Sequence, residues 1–359
     1  MSLHSTTDTL KNFFKWVGIV IGGIILLFVL FNTVKIIVNA IFPPKLPPPT
    51  VSFGKLPDVS FPPPTSSTSY TYIINTVSGS LPSSGDRATV YKILQPEITL
   101  LNLQNTKDLV SKTEFGAIPP VAISEIVYQW TNPTLPRKVL TYNILSQNFD
   151  IVSQYLSFPD IYGGSFTSDT IAVDTSKSFL QSFNAYPDDI DETKTKTTLL
   201  SLQNGKFVAA SSLSTTQLIH VDFFQKDINK LSIYYPHPPA TLINTVVTNA
   251  VTANAQPGQN SAGLQVVETH YIHNQIDPNT NATYPIKSVQ EAFVDLQRSR
   301  NTYIAQYYGT AQNIPIRDVG LGYYGADTQT QYLMPIYVFQ GDNGFLAYVS
   351  AIKDAWIQK

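Results

Sequence analysis

The amino-acid sequence predicts an α+β protein in which a single N-terminal transmembrane helix precedes antiparallel sheets, with a few short helices packed on one face. Three observations lead to this fold class. Residues 16–34 contain no charge, short strand-like runs separated by turn signals follow from residue 70 onward, and only short segments show helical spacing. Strands joined by hairpins form antiparallel sheets, and sparse helices cover one face of such a sheet.

Composition excludes several classes of function. The chain of 359 residues carries a net charge of −2 and no basic run, so we expect no nucleic-acid partner. It has no cysteine, which excludes a disulfide framework, thiolate metal sites and cysteine nucleophiles. Charged residues make up 13% of the chain, against about 25% in average soluble domains, and this deficit is common in exported, strand-rich proteins.

The predicted membrane helix begins with the run WVGIVIGGIILLFVLFNTV. At about 1.5 Å per residue, these 19 residues span about 29 Å, close to the hydrocarbon thickness of a bilayer. Apolar residues continue past Lys35, whose side chain can extend to the headgroups, so the bilayer is the expected partner of residues 16–42. The anchoring side chains are Trp16, Ile19, Ile24, Leu27 and Leu30.

A cleaved signal peptide is the alternative, because Val38-Asn39-Ala40 resembles a small-residue cleavage site. We favour an uncleaved anchor, since the apolar run is longer than the roughly 7–15 residues of a signal core. Lys11 and Lys15 lie before the helix and Lys35, Lys45 and Lys55 lie after it, so the count of positive charges does not by itself fix the orientation. We expect residues 1–15 to be a cytoplasmic tail and the C-terminal region to lie outside the plasma (inner) membrane.

A proline-rich segment follows at residues 43–69, which hold nine of the 25 prolines. Proline fixes φ and removes a hydrogen-bond donor, so the segment is predicted to be an extended stalk. Four apolar side chains are unusual in a spacer and give a second interpretation, a strap docked on the protein's own domain or on a partner. They are Val51, Phe53, Leu56 and Phe61.

Turn signals predict three hairpins. The runs SEIVYQW (124–130) and VLTYNIL (139–145) alternate apolar and polar residues around a long loop. Asn204-Gly205 lies between two apolar runs and is typical of a tight hairpin turn. Residues 342–344, Asp-Asn-Gly, predict a third hairpin near the C-terminus.

Three short helices are predicted from caps and spacing. Thr106 caps the first, which Gly116 ends, and Thr175 or Ser176 caps the second, which stops before Pro187. The third begins with a capping box, Ser288-x-x-Glu291. Its apolar residues recur at helical spacing and must cover a sheet: Val289, Ala292, Phe293 and Leu296.

The pattern of a helix followed by antiparallel strands occurs twice, which predicts two similar α+β modules, residues 70–210 and 211–359. Residues 244–265 are low in charge and rich in small side chains. We expect this stretch to form a long loop or a weak strand pair.

The last seventy residues resemble the C-terminal half of YycH/YycI-type proteins and, more loosely, PepSY-like modules. In that arrangement an s-x-x-E-A helix leads to a strand ending in Leu-x-Tyr-Tyr, and a Pro-x-Tyr-x-Phe strand and a hairpin follow. The matching residues are Ser288, Glu291, Ala292, Leu321, Tyr323, Tyr324, Pro335, Tyr337 and Phe339. A fainter echo in the first module comprises Phe115, Gly116, Tyr128, Trp130, Leu140, Thr141 and Tyr142.

This resemblance implies a single-pass, extracytoplasmic, non-enzymatic protein that modulates a sensor histidine kinase. The FGKLP sequence within the proline-rich segment departs from that family. It is similar to uncharacterised single-pass envelope proteins of candidate-phylum bacteria.

Several motifs suggest chemistry at first sight. Gly320, Gly322 and Gly325 fit G-x-G-x-x-G, but no helix begins after them, so a strand end and turn is the favoured interpretation. His270 and His273, near Glu268, lie three apart, and strand residues at that spacing face opposite sides.

Two further groups contain titratable side chains. His220 and Asp222 share one strand face, but no nucleophile accompanies them. The acidic cluster has no calcium-loop spacing, so a solvated loop is favoured. Its members are Asp188, Asp189, Asp191 and Glu192.

We therefore expect no catalytic residue, no metal site and no cofactor. The predicted function is a non-enzymatic, membrane-anchored protein-binding module whose partner is another membrane or envelope protein. The alternative is a structural or assembly component of the cell surface or of a pilus or secretion system. A candidate partner surface is formed by four tyrosines, unless they pack in the core: Tyr307, Tyr308, Tyr323 and Tyr324.

Overall fold

The structure is a computed structural model that describes residues 3–41, 47–63, 69–134, 136–251 and 263–358. The chain divides into two compact units, Met1–Pro48 and Pro49–Lys359. The first unit contains one helix, α1 (Leu3–Ile41). Its apolar window, Lys15–Ile36, has a mean hydropathy of 2.6 and no buried residue. By length and composition, α1 is thus the one helix of the described chain that can cross a membrane.

The second unit is α+β, as predicted, and its sheets are mostly antiparallel. Three further helices lie in its described part: α2 (Asn102–Val110), α3 (Thr170–Ser182) and α4 (Val289–Gln297). The strands are, in chain order, β1 (Thr71–Ile74), β2 (Arg87–Ile93), β3 (Val121–Ala122), β4 (Val127–Asn132), β5 (Lys138–Asn143), β6 (Phe149–Ser153), β7 (Lys196–Gln203), β8 (Lys206–Ala209), β9 (Leu218–Phe223), β10 (Ile233–Tyr234), β11 (Ile243–Asn249), β12 (Leu264–Tyr271), β13 (Ile276–Pro285), β14 (Thr302–Gln306), β15 (Asn313–Tyr324), β16 (Tyr332–Gly341) and β17 (Leu346–Ser350).

One sheet is wholly antiparallel and has the strand order β3-β4-β5-β6-β12-β11-β9-β7-β8. Helix α3 covers one face, where Ala172 and Leu180 pack with Leu140, Val221 and Val247 in a dry core. Because side chains alternate along a strand, the residues between these face the other way. Part of that second face is covered by two short 3-10 turns between β6 and α3.

The other sheet has the order β1-β15-β16-β17-β14, and β10, β2 and β13 attach to it. Two pairs are parallel, because β1 and β10 both run alongside β15. Its core contains Ile336 and Phe339 of β16, packed with Ala292, Phe293 and Leu296 of α4. The apolar face predicted for α4 therefore does cover a sheet.

The strands do not form two similar modules divided at residue 210. β7 pairs with β9 across that boundary in the first sheet, and β2 pairs with β13 in the second. Residues 244–265 hold most of β11 and the start of β12, which lie inside the sheet rather than in a loop, and residues 252–262 are outside the described residues. Local patterns identified the strands of the three predicted hairpins, but partners this distant in sequence are fixed by packing.

The proline-rich segment is docked, not free, over residues 49–63, which we call the strap. The Val51 N–H donates to the Thr283 carbonyl at 3.0 Å, and Leu56 is fully buried beside Ile357. The Phe61 ring lies edge-on to the Tyr324 ring, with 4.9 Å between centroids. The strap interpretation therefore holds for these residues, and residues 43–46 and 64–68 of the predicted stalk lie outside the described residues.

All three predicted hairpins form. β4 pairs with β5, β7 with β8 and β16 with β17. Asn204 and Gly205 have φ of 52° and 74°, the left-handed values that a tight two-residue turn requires. The second and third hairpins thus follow directly from residues that tolerate positive φ.

Two of the three predicted helix caps are wrong. α2 begins at Asn102 and ends at Val110, so Thr106 lies inside it and donates to the Asn102 carbonyl at 2.9 Å. α3 begins at Thr170, which places Thr175 and Ser176 inside that helix. Serine and threonine hydroxyls also bond within or between elements, so the residue type alone does not mark a helix start. The capping box of α4, at Ser288 and Glu291, is confirmed.

Candidate functional site

The four tyrosines predicted to form a partner surface do not lie on one surface. Tyr323 and Tyr324 are almost completely buried, whereas Tyr308 is 70% exposed. Tyr307 is partly buried between Tyr70 and a phenylalanine, and its hydroxyl donates to the Ala311 carbonyl at 2.8 Å. The core interpretation is therefore correct for two of them, and Tyr308 alone presents its ring to solvent.

Burial of both Tyr323 and Tyr324 follows from their position on β15. Neighbouring strand residues face opposite sides, and here both sides are covered. Tyr323 packs edge-on against Tyr91, and its hydroxyl donates to the Thr89 carbonyl at 3.0 Å. Tyr324 lies beneath Phe61 of the strap. Burial raises the pKa of both hydroxyls, so both stay protonated and neutral.

The anchoring side chains predicted on α1 are all more than half exposed within their unit: Trp16, Ile19, Ile24, Leu27 and Leu30. A helix that is apolar on every side and has no protein covering it is poorly suited to water. A bilayer is the solvent in which such a surface is stable.

A second apolar surface lies at residues 116–126, which we call the β3 edge. Its sequence is GAIPPVAISEI, with one charge, and it surrounds the terminal strand of the nine-stranded sheet. Val121 is 63% exposed and Ile123 58%, and Ile118 and Ile126 are also exposed. Sequence reasoning missed this surface, although the low charge and Pro119-Pro120 before a strand were visible.

The β3 edge is held firmly at its N-terminal side. The Glu114 carboxylate accepts from the buried Lys138 ammonium at 3.1 Å and from the Asn132 amide at 3.1 Å, and Phe115 is fully buried in the core. Gly116 must be glycine, because a Cβ there would meet the Ser111 backbone at 2.4 Å. The exposed apolar residues are therefore presented on a fixed frame.

The face of the nine-stranded sheet opposite α3 carries a polar cluster. His220 Nδ1 lies 2.9 Å from Asp222 Oδ2, and the other Asp222 oxygen accepts from the Thr241 N–H at 2.8 Å. Burial acts to lower the pKa of His220, but the hydrogen bond and charge of Asp222 outweigh it, so the pKa is raised. The imidazole is therefore held in one orientation and favoured in its charged form.

Glu268 lies in the same cross-strand row as His220, with Val246 between them. Burial raises the pKa of the Glu268 carboxyl, while Tyr155 and the charge of His220 oppose that rise. Within the described residues, the hydrogen bonds of His220 go to Asp222 and Asn244 and none goes to a hydroxyl, so the imidazole is not paired with a serine, threonine or tyrosine as in a hydroxyl nucleophile–base pair.

The histidines and carboxylates considered as metal ligands do not converge. His270 Nδ1 pairs with Asp150 at 2.6 Å, whereas His273 Nε2 pairs with Asp189 at 3.0 Å. Asp191 accepts from the backbone of its own turn, and Glu192 pairs with a lysine. Within the described residues, no group of three His, Cys, Asp or Glu side chains is placed to hold a metal ion.

The glycine motif is a strand end, as favoured. Gly320 and Gly322 lie within β15, and Gly325 follows it, hydrogen-bonded to the Tyr234 carbonyl at 2.9 Å. The chain then turns into β16 without a helix. No helix N-terminus is therefore present in this described loop to receive a phosphate.

Two open clefts lie on the domain surface. One, of about 610 Å³, lies between the strap and the β15–β16 loop, and includes Phe53, Asp58 and Tyr332. The other, of about 640 Å³, lies beside Tyr234 and Lys196. Both have the volume of small-molecule sites, but neither brings together a set of polar groups that indicates one ligand.

Fold and surface together define a class of protein, an α+β domain that follows a membrane-compatible helix and presents an apolar sheet edge. Comparison of the sequence with protein-family models and with curated proteins gives no match. Among solved structures, the chain is similar to an uncharacterized protein from Eubacterium rectale ATCC 33656. The two are 11% identical over 75% of this chain and 84% of that chain, with a TM-score of 0.40.

Proposed function

We propose that this protein is a single-pass, membrane-anchored, non-enzymatic module that binds another membrane or envelope protein outside the plasma membrane. The observation that carries the proposal is the helix α1, whose 22-residue apolar window has no residue buried. A helix of this kind leaves the rest of the chain fixed at a membrane surface. The domain that follows it then acts where membrane and envelope proteins are its neighbours.

Binding, rather than catalysis, is supported by what the domain exposes. The β3 edge places four apolar side chains in solvent, whereas His220 has no hydroxyl among its hydrogen-bond partners in the described residues. Contiguous exposed apolar surface on a soluble domain is typical of a protein-interaction site. The resemblance of the C-terminal part to YycH/YycI-type regulators points to the same class of function.

The anchor and its orientation can be tested with the full chain, because the sequence has no cysteine to interfere. Ser214→Cys places one thiol on the exposed surface of the domain, and Ser5→Cys places one in the part of α1 that precedes the apolar window Lys15–Ile36. In intact cells, a membrane-impermeant maleimide should label the first and not the second. Labelling of Ser5→Cys alone would mean that the orientation is the opposite of the proposed one. Loss of an N-terminal tag from the mature chain would mean that α1 belongs to a cleaved signal peptide.

Partner binding is tested by purification of the tagged full chain from detergent-solubilised membranes. An unrelated single-pass membrane protein with the same tag is the control for recovery that depends only on membrane residence. We expect a membrane or envelope protein to be retained in a fixed ratio with the native chain. If no such protein is retained above the control after chemical crosslinking, the binding function is wrong.

A further inference from the structure

Three side chains meet at the loop end of the β4–β5 hairpin, and we call them the Lys138 cluster: Asn132, Lys138 and Glu114. Asn132 is the last residue of β4 and lies directly opposite Lys138, the first residue of β5. Residues that are directly opposite have Cβ atoms about 4.5–5.5 Å apart on one face of the sheet. The long side chain of Lys138 can therefore reach the carboxamide of Asn132 without a change of register.

One carboxylate connects the amine with the carboxamide. The Lys138 ammonium donates to both oxygens of Glu114 at 3.1 Å, and Asn132 Nδ2 donates to Glu114 Oε2, also at 3.1 Å. On the other side of the carboxamide, Asn132 Oδ1 accepts from the Thr134 N–H at 3.0 Å. The cluster thus holds an amine, a group that can take its proton, and a carbonyl whose oxygen already faces an N–H donor.

Water has little access to the amine. The Lys138 side chain is 6% exposed and lies on the same strand face as Leu140, which is fully buried opposite Trp130. A proton that passes from the ammonium to Glu114 therefore stays within the cluster, and the amine that remains faces the carboxamide rather than solvent. Exclusion of water also protects an amide at this position from hydrolysis.

A second lysine shows how an ordinary buried ion cluster differs. Within the described residues, Lys287 is as buried as Lys138. Its ammonium contacts the carboxylates of Asp295 and Asp354, and Arg300 pairs with the same two groups. A carboxylate resists attack by an amine because it is negatively charged, whereas a carboxamide is neutral. Of these two clusters, the one at Lys138 alone contains a group that an amine can attack.

We propose that Lys138 and Asn132 react within the folded chain to form an amide crosslink between β4 and β5. Lys138 Nζ bonds to Asn132 Cγ, and the negative charge that develops on Oδ1 is stabilised by the Thr134 N–H. Two protons of the ammonium pass through Glu114 to Nδ2, the Cγ–Nδ2 bond breaks, and the nitrogen leaves as ammonium. Glu114 ends as a carboxylate, and the positive charge of the lysine departs with the ammonium.

The crosslink supplies a covalent bond to a sheet in a chain that has no cysteine for a disulfide. The reaction occurs once in each chain, so it is a self-modification and not an enzymatic turnover. The competing route by which asparagine loses ammonia, attack of the next backbone nitrogen, is blocked at Asn132, because residue 133 is proline and has no N–H. The bond forms within one chain and does not depend on the binding function proposed above.

Mass spectrometry of the full chain, purified from membranes in detergent, tests the crosslink. Loss of one ammonia makes the chain about 17 Da lighter than its sequence. Trypsin cleaves after Arg137 but not after an acylated lysine, so we expect a branched peptide in which residues 113–137 are joined to residues 138–177. Glu114→Gln should yield the same residues as linear peptides. Glu125→Gln, the same change at an exposed site nearby, is the matched control and should keep the branched peptide.

Two further variants cover the case in which Glu114→Gln does not fold, as judged by its urea midpoint. Lys138→Met removes the amine together with its charge, and Asn132→Ala removes the carboxamide. Both should have the full mass of their sequences and no branched peptide. Ammonia lost elsewhere, as at Asn204-Gly205, would change the mass in the same way but would not join the two peptides.

A native chain that yields only linear peptides would overturn the proposal and leave the Lys138 cluster as an ion pair with a hydrogen-bonded asparagine. A branched peptide from folded Glu114→Gln would overturn the role of Glu114 as the group that transfers protons. Retention of a partner protein is a separate measurement. A crosslinked chain that retains no partner, or an uncrosslinked chain that retains one, would show which of the two proposals is wrong.

Discussion

At the scale of single residues, the clearest electrostatic arrangement is the pair of His220 and Asp222. Asp222 is buried, and its oxygens are held by the imidazole and by the Thr241 N–H. Buried carboxylates are stable when such donors surround them. The sequence predicts that the two residues share one strand face. It does not predict the burial of Asp222, because the donor Thr241 lies in a later loop, just before β11.

We predict that Asp222→Asn lowers the pKa of His220 and the free energy of unfolding. The native pKa is raised, so the stability from the charged imidazole is fully present below the ordinary pKa of 6.5 and is lost as pH rises through the raised value. The variant should lose about 1–3 kcal/mol at low pH and show a flatter pH profile. Urea unfolding in detergent between about pH 5 and pH 8, with NMR titration of the ring, measures both.

The control for this prediction is Asp150→Asn, which removes the carboxylate beside His270. Asp150 is well exposed, and an exposed pair contributes about 0–1 kcal/mol. Its pH profile should remain close to that of the native chain. Equal profiles for the two variants would mean that burial of Asp222 does not strengthen its interaction with His220.

At the scale of elements, α4 was predictable because its signals are local. Ser288 Oγ accepts from the Glu291 N–H at 3.2 Å, and the Ser288 N–H donates to Glu291 Oε2 at 2.7 Å. For α3, the misassigned Ser176 instead exchanges a 2.6 Å hydrogen bond with Thr245 of β11. That contact joins residues from a helix and a distant strand, so no local pattern distinguishes it from a cap.

We predict that Ser288→Ala costs about 1 kcal/mol of stability, whereas Ser288→Gly costs only a few tenths. Hydrogen bonds from the Ser288 backbone and side chain lower the pKa of Glu291 below its ordinary value of 4.5. Their contribution is therefore present above that value and is lost as pH falls through the lowered pKa. Urea midpoints at neutral and acidic pH measure this; an alanine variant with no loss at neutral pH would show that the box does not stabilise α4.

At the scale of the whole molecule, the sequence could predict the fold class and the hairpins, but not how distant segments combine. Asn204-Gly205 specifies a turn between neighbouring strands, whereas Thr71 of β1 pairs with Asn313 of β15. The pairing of such distant strands depends on how all strands pack together. The exposure of the β3 edge likewise depends on which surfaces remain uncovered after that packing. The two-module interpretation failed for that reason, because it assigned partners by nearness in the chain.

The strap is the segment whose role in the whole domain is most directly testable. The Leu56 N–H donates to the Trp356 carbonyl at 2.8 Å, and the Gln358 N–H donates to the Leu56 carbonyl at 2.8 Å. The side chain of Leu56 is fully buried in the core of the eight-stranded sheet. The strap is thus joined through Leu56 to the C-terminal end of the domain.

We predict that Leu56→Ala lowers the free energy of unfolding by about 2–5 kcal/mol, the range for a fully buried leucine, whereas Val77→Ala, at an exposed site, changes it by less than about 0.5 kcal/mol. Trypsin gives a second measurement, because the Lys55 carbonyl at the scissile bond accepts from the Gln358 amide at 3.0 Å and is held in place. Cleavage after Lys55 should be slow in the native chain and faster in Leu56→Ala. Rapid cleavage of the native chain, with a urea midpoint of Leu56→Ala equal to that of the native chain, would mean that residues 49–63 act as a free spacer.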